Sequence, residues 1–468
     1  MSASPFSLIH EHDFDNHNRS DPQNPLNKSF LWTNKSKTVE HLSRLSIRIS
    51  LLFFTVMVLS GVHGARAADY QLLTSVELMH EYNDNIFFDS EDLLSDNITT
   101  VAPKLSVVRH GERMTFHADG KLEFYRYQEY DAFDDTDQWY HAGIDATPTE
   151  RWQVGAKVHI SDDSRADRDI ETTGMVFGTD RRRRIHAGTS AFYTFSEMLS
   201  GGLVLNVNRE NFDDPETSDR KDYGATLAVT RRLDAWLTRT TGRLNLSYSH
   251  YAFEREFQQS GTSAFFDVTT VVVDQSEVDN VSFTVGTETA LKETVDLTAN
   301  LGGRYARSQR ELFQTRTYSP PWISDAPHNI GFTSDSCGFV GDVTFGYRDE
   351  RYRCSLLLSH DLQPVSGNNA MANRTTIRLG GNMRLLEKLS GNLAVRWYWN
   401  VSDEDDPTQD DIDTQSWSAH GGLRWTLNDN LDLAADYVYS INHDRESGTN
   451  KYRNKAVIRL DAHHDWLE

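Results

Sequence analysis

Met114-Thr115-Phe116-His117-Ala118-Asp119-Gly120-Lys121-Leu122-Glu123-Phe124-Tyr125 carries the reading of the whole chain. Its even positions are apolar or small and its odd positions polar, a strict two-residue alternation that belongs to a strand with unlike faces. The pattern recurs in Trp152–Ile160, Val295–Leu301, Leu393–Val401 and Leu431–Ile441. In each, one face suits lipid and the other water. A soluble sandwich also alternates in this way, so the connections have to decide between the two.

Strand starts are read near residues 72, 99, 113, 137, 151, 183, 200, 221, 240, 277, 294, 337, 352, 373, 389, 415, 430 and 454. Short connections such as 110–112, 148–150, 291–293, 348–351, 386–389 and 428–430 alternate with long ones at 83–97, 161–182, 252–276, 306–336 and 402–415. Short turns on one side and long loops on the other describe an all-β, antiparallel, up-and-down transmembrane barrel of about eighteen strands, with turns periplasmic and loops extracellular. An even strand number returns both ends of the barrel to the periplasmic side. Trp152, Tyr347, Tyr352, Trp425 and Trp466 fall at periplasmic strand ends and Tyr82, Trp399, Trp417 and Tyr439 near external ends, as two interfacial girdles require. A hydrophobic content of only 38% is compatible with this, because lumen-facing residues dilute the lipid-facing ones.

The first 67 residues read as a leader. Ile49–Val62 is an apolar stretch preceded by Arg44 and Arg48 and followed by Ala65-Arg66-Ala67, the layout of a secretory signal cleaved after Ala67. The 468-residue chain holds 47 basic and 69 acidic residues; without the leader's seven and five, 40 and 64 remain and the net charge is −24. That balance excludes nucleic acid as a partner. Cys337 and Cys354 fall on adjacent strands out of register, Cys337 facing a residue near Leu362, so both are expected to be unpaired.

No catalytic constellation is present: there is no G-x-S-x-G, H-E-x-x-H or phosphate-cradling glycine loop, and the chain is expected to be no enzyme and to use no cofactor. His10, Glu11 and His12 have metal-ligand spacing but lie in the leader. What remains is a lumen, which eighteen strands make wide enough for a water-filled path. Its expected lining is Asp119, Lys121, Glu123, Tyr125, Lys157, His159, Arg243, Asn245, Asp296, Asn300, Arg304, Arg396, Tyr398, Arg424, Asp436 and Arg459. At the external rim, Arg181, Arg182, Arg183 and Arg184 are placed to meet lipopolysaccharide phosphates. The acidic run Ser402–Thr414 reads as a solvated external loop.

The first strand ends Glu81-Tyr82-Asn83-Asp84-Asn85-Ile86-Phe87, and a signal followed by a strand with this ending resembles the β-barrel porin 2 family. Members are outer-membrane barrels often tied to exopolysaccharide production. The resemblance implies a pore that passes a secreted polysaccharide across the outer membrane beside a periplasmic polysaccharide-export protein. The last strand, with Ile458, Leu460, Ala462, His464 and Trp466 on one face, resembles the C-terminal signal read by the barrel-assembly machinery, although Leu467 and Glu468 follow the aromatic residue. A diffusion porin for small solutes and a structural or adhesive barrel are the competing readings. An inward-folded loop, for which 306–336 is the candidate, would favour small solutes; an open lumen would favour export.

Overall fold

The computed structural model describes residues 69–467, apart from positions 92, 166, 176–179, 235–238, 263–266, 320–322, 326–327 and 403–410. The leader with its cleavage point and most of the acidic run at 402–414 lie outside the described residues.

Eighteen long strands follow one another in chain order: β1 (Asp69–Asn83), β2 (Asp96–His110), β3 (Met114–Tyr127), β4 (Asp135–Thr149), β5 (Trp152–Asp163), β6 (Arg182–Ser196), β7 (Leu199–Phe212), β8 (Asp219–Arg232) and β9 (Thr240–Thr262). They continue as β10 (Asp267–Lys292), β11 (Val295–Ser319), β12 (His328–Arg348), β13 (Tyr352–Pro364), β14 (Met371–Arg384), β15 (Leu389–Ser402), β16 (Asp413–Asn428), β17 (Leu431–Asp444) and β18 (Asn450–Asp465). Each pairs antiparallel with its neighbour in sequence, and β1 pairs with both β2 and β18, so the sheet closes into a barrel. A two-residue strand, Ile323–Ser324, adds to β11 beyond the wall.

The alternation predicts which side each residue takes. Leu244, Leu246, Val281, Phe283, Val285, Leu301, Leu393, Leu423 and Ile458 all stand on the outer face with roughly half of their surface uncovered. In water each would forgo about 1.5–3 kcal/mol of burial, so a belt of them demands lipid as its solvent. Trp152, Tyr352, Trp425 and Trp466 near the turn side, and Tyr82, Trp417 and Tyr439 near the loop side, are exposed on the same face. With backbone polar groups satisfied around a closed ladder, this is an outer-membrane barrel.

Two segments expected to be long loops are strand instead. Between Ala252 and Ser276, β9 runs on to Thr262 and β10 begins at Asp267; between Ala306 and Ser336, β11 runs on to Ser319 and β12 begins at His328. The four strands rise as a ribbon well past their neighbours. On that ribbon Glu254, Glu256, Gln275 and Glu277 face outward and are exposed, because beyond the lipid the outer face meets water.

The seam between β12 and β13 is short. Only Gly341–Arg348 pair with Arg353–His360; above that, β13 stays with β14. There Leu362 and Met371 are buried against Phe253, Val278 and Ala306 on the inner faces of β9, β10 and β11. Consequently Cys337 faces Tyr305 on β11, not a residue near Leu362, and Cys354 faces Tyr347. Both thiols are free and exposed.

Candidate lumen constriction

The connection between β5 and β6 does not stay outside. After Asp163 it forms one turn of helix, α1 (Asp167–Thr172), closed by Thr173 and Gly174. Tyr398 Oη donates to the Glu171 carbonyl at 2.7 Å, Asn400 Nδ2 to the Thr173 carbonyl at 3.1 Å and Asn442 Nδ2 to the Gly174 carbonyl at 2.9 Å. Ser416 Oγ donates to the Gly174 carbonyl as well, and Arg396 Nη1 lies 3.6 Å from Glu171 Oε2. Tyr398 and Asn400 stand on β15, nine strands from β6 in a ring of eighteen, so the segment reaches the opposite wall.

Gly174 makes the far contact feasible. Its φ of +74° lies in the left-handed region, and a Cβ there would sit 2.7 Å from Ser416 Cβ and 2.9 Å from Tyr398 Cδ2. The next residue, Met175, is buried with Val365, Ala370, Ala372 and Ile412.

The near end is held by charge. Arg168 Nη1 is 2.7 Å from Asp163 Oδ1 and its Nη2 donates to the Asp180 carbonyl at 2.7 Å. Arg182 Nη1 is 3.1 Å from Asp169 and 2.7 Å from Glu210, which Arg220 Nη2 also meets at 3.0 Å. Burial pushes the Asp169 carboxyl above the ordinary carboxylate range, against the pull of the Arg182 and Arg168 guanidiniums. A second infolded connection, 365–370, joins this cluster: Ser366 Oγ donates to Glu210 Oε1 at 3.0 Å, and Gly367 bridges to Ser218.

The arginine run is therefore divided. Arg182 is 6% exposed and its two terminal nitrogens are engaged by Asp163, Asp169 and Glu210, so it does not face lipopolysaccharide. Strand alternation turns Arg184 inward beside it, where Nε donates to Asn208 Oδ1 at 2.9 Å. Arg181 is held by Asp162 at 2.6 Å and Asp135 at 2.7 Å. Only Arg183 keeps a side chain about half exposed, 3.7 Å from Asp162.

The other expected lining residues sit on the inner face and mostly pair with further polar side chains of that face. Lys121 Nζ contacts Glu77 at 2.9 Å and Glu123 at 2.8 Å, and Tyr125 donates to Glu123. Asp119 meets His141 at 3.4 Å, Arg243 meets Glu288, and Asn245 donates to Thr284 at 3.1 Å. Asn300 donates to Asp342 at 3.0 Å, and Arg304 to Asn373 at 2.5 Å. Asp296 lies beside Gly346; Lys157 and His159 share one face of β5. Arg424 pairs with Asp461 at 2.9 Å, and Asp436 with His420 at 3.0 Å and Arg459 at 3.9 Å. Of the sixteen, the inward segment touches Arg396 and Tyr398 at its far end, and at its near end Arg165 lies over the Tyr125 ring, 5.1 Å from the centroid. Its own residues, Glu171, Thr173 and Gly174, and their partners Ser416 and Asn442 were not singled out by sequence; the helix-stopping glycine after Asp167–Thr172 was the available signal. The segment at 306–336, the candidate for an inward-folded loop, is instead strand over Ala306–Ser319 and His328–Ser336.

No family model and no curated protein matches the chain. Among solved structures it is similar to the copper transporter OprC, with a TM-score of 0.45 and 12% identity over 82% of this chain and 65% of that one. It is also similar to the ferric yersiniabactin uptake receptor FyuA of Yersinia pestis, at 0.43 and 9% over 84% and 66%. OccK2 of Pseudomonas aeruginosa gives 0.41 and 10%, over 86% of this chain and 99% of that one. The chain thus spans about two thirds of the length of the first two. A closed wall, apolar and girdled outside and polar within, makes this chain an outer-membrane β-barrel.

Proposed function

We propose that the chain is a pore that admits small hydrated solutes and sorts them at the constriction made by Asp167–Met175. The observation that carries this reading is the pair of hydrogen bonds from Tyr398 and Asn400 to the carbonyls of Glu171 and Thr173, which anchor a β5–β6 segment to the far side of the lumen. A polymer sliding outward needs clearance along its whole path. A segment fixed at both ends and crossing that path favours short solutes over polysaccharide export, the function implied by the family resemblance. At the crossing, Glu171 faces Arg396, with Arg378 and Arg374 on the same wall, so a passing solute meets charges of both signs.

Swelling of proteoliposomes in sugars of graded size tests the reading. The expected outcome is rapid entry of mono- and disaccharides, with a sharp size limit that rises when 167–175 is replaced by a short glycine-serine link. An unchanged limit would overturn it. Export would regain ground if deleting the gene abolished surface polysaccharide.

A further inference from the structure

Four histidines stand on four adjacent strands of the inner wall. His141 on β4 faces His159 on β5, which faces His186 on β6. His117 on β3 faces Gly143, two residues along from His141. The absence of a side chain at Gly143 makes room for it, since a Cβ there would be 2.4 Å from His117 Cε1. The ring centroids of His117 and His141 are 4.9 Å apart, and those of His141 and His159 are 6.4 Å apart. His117, His141 and His186 open onto a cavity of about 550 Å³, with Asp145 and Lys157 also in its wall.

We infer that this row is a binding station for divalent transition-metal cations in the lumen. Neutral imidazole is their commonest side-chain ligand. Nitrogens bound to zinc at roughly 2.0–2.1 Å place two ring centroids about 5 Å apart at a tetrahedral angle, close to the His117–His141 spacing. Among the described residues, the rings of His117, His159 and His186 make no hydrogen bond, so their nitrogens are available. His141 contacts the Asp119 carboxylate at 3.4 Å through Nδ1, the orienting arrangement that leaves Nε2 for a metal. Asp119 and Asp145 add negative charge; Lys157 and Arg184, two residues from His159 and His186 respectively, oppose it. Among the described residues no three ligating groups close on one point. The row therefore offers one two-imidazole contact, His117–His141, with His159 and His186 next along the wall, instead of a cage, and weak, adjacent contacts suit an ion in transit.

This inference shares with the proposed function only a lumen open to water, and the two fail separately. Untagged protein in detergent is titrated calorimetrically with zinc chloride or copper chloride alone, and its conductance in planar bilayers is recorded in metal-free solution. The wild type is expected to bind, H117N/H141N and H159N/H186N to bind at least ten-fold more weakly, and the quadruple variant not at all. H463N/H464N, at the periplasmic end, is expected to bind as the wild type does. Heat-modifiable migration on gels confirms folding of each variant. Equal affinity in wild type and quadruple variant, or no binding by the wild type, overturns the inference. Metal-free conductance reports on the pore reading alone.

Discussion

Asn85 Nδ2 donates to the carbonyl of Tyr452 at 3.0 Å, tying the end of the first strand's motif to the last strand of the barrel. The same amide donates to the Asp89 carbonyl at 2.7 Å and its oxygen accepts from the Asp89 amide at 2.9 Å. Beside it, Asp84 accepts from the Asn454 backbone amide and side chain, both at 2.7 Å. Tyr82-Asn83-Asp84-Asn85-Ile86-Phe87 therefore staples the β1–β18 seam at the external rim. Its chemistry is that of closure and not of cargo.

Asn85→Ala should accordingly loosen the barrel where it closes. Losing three hydrogen bonds at a buried amide is expected to cost about 1–3 kcal/mol. The midpoint of heat-modifiable unfolding should fall, whereas Tyr82→Phe, on the lipid face, should leave it in place. Equal midpoints for Asn85→Ala and wild type would remove the staple from the account.

Gly174→Ala adds a methyl where φ is +74° and Ser416 is already in contact. A left-handed alanine alone costs roughly 1–2 kcal/mol, and the clash adds to it. The far end of the constriction should detach part of the time, giving larger and noisier single-channel currents while the barrel melts as before. Currents indistinguishable from wild type would contradict the docking described above.

Asp169 makes the constriction sensitive to acid. Its folded carboxyl is raised above the ordinary value, so the docked segment holds its proton more tightly than a released one. The resulting stabilisation is full below the ordinary carboxylate pKa of roughly 3.9 and is lost as pH climbs through the raised value. Conductance should thus fall as the bath is acidified, and Asp169→Asn, locked in the neutral form, should show the low-conductance behaviour across the range. A rise in conductance on acidification would reverse the sign and refute the assignment.

The orientation of the barrel can be read from its two thiols. Cys337 lies on β12 above the last pair with β13, and Cys354 lies two residues into β13 from the turn. A membrane-impermeant maleimide applied to intact cells should label Cys337 and spare Cys354, with both labelled after lysis. The opposite pattern would invert the barrel.

Much of this architecture is legible in the residues themselves, because lipid outside and water inside impose alternation on every strand that crosses. Phe116 against His117, or Leu244 against Arg243, needs no further context. The signal fades where that constraint ends. Glu254, Glu256 and Gln275 sit on strands beyond the lipid, where the outer face is free to be polar, so the stretches 252–276 and 306–336 read as loops. The constriction was hidden for a different reason. α1 is too short to carry a periodicity, and what draws it inward is Tyr398, Asn400 and Asn442, more than 200 residues away in sequence. The arginine run misled because four like charges suggest an exposed patch, whereas strand geometry sends Arg182 and Arg184 inward.

Single-channel conductance of the wild type beside a variant with 167–175 replaced by a short glycine-serine link tests the central claim most directly. The account predicts a wild-type channel of small unit current and a variant whose current is at least about two-fold larger, as an eighteen-strand lumen relieved of its crossing segment should be. Equal currents in the two proteins would mean that the segment does not set the width of the path, and the constriction would have to be abandoned.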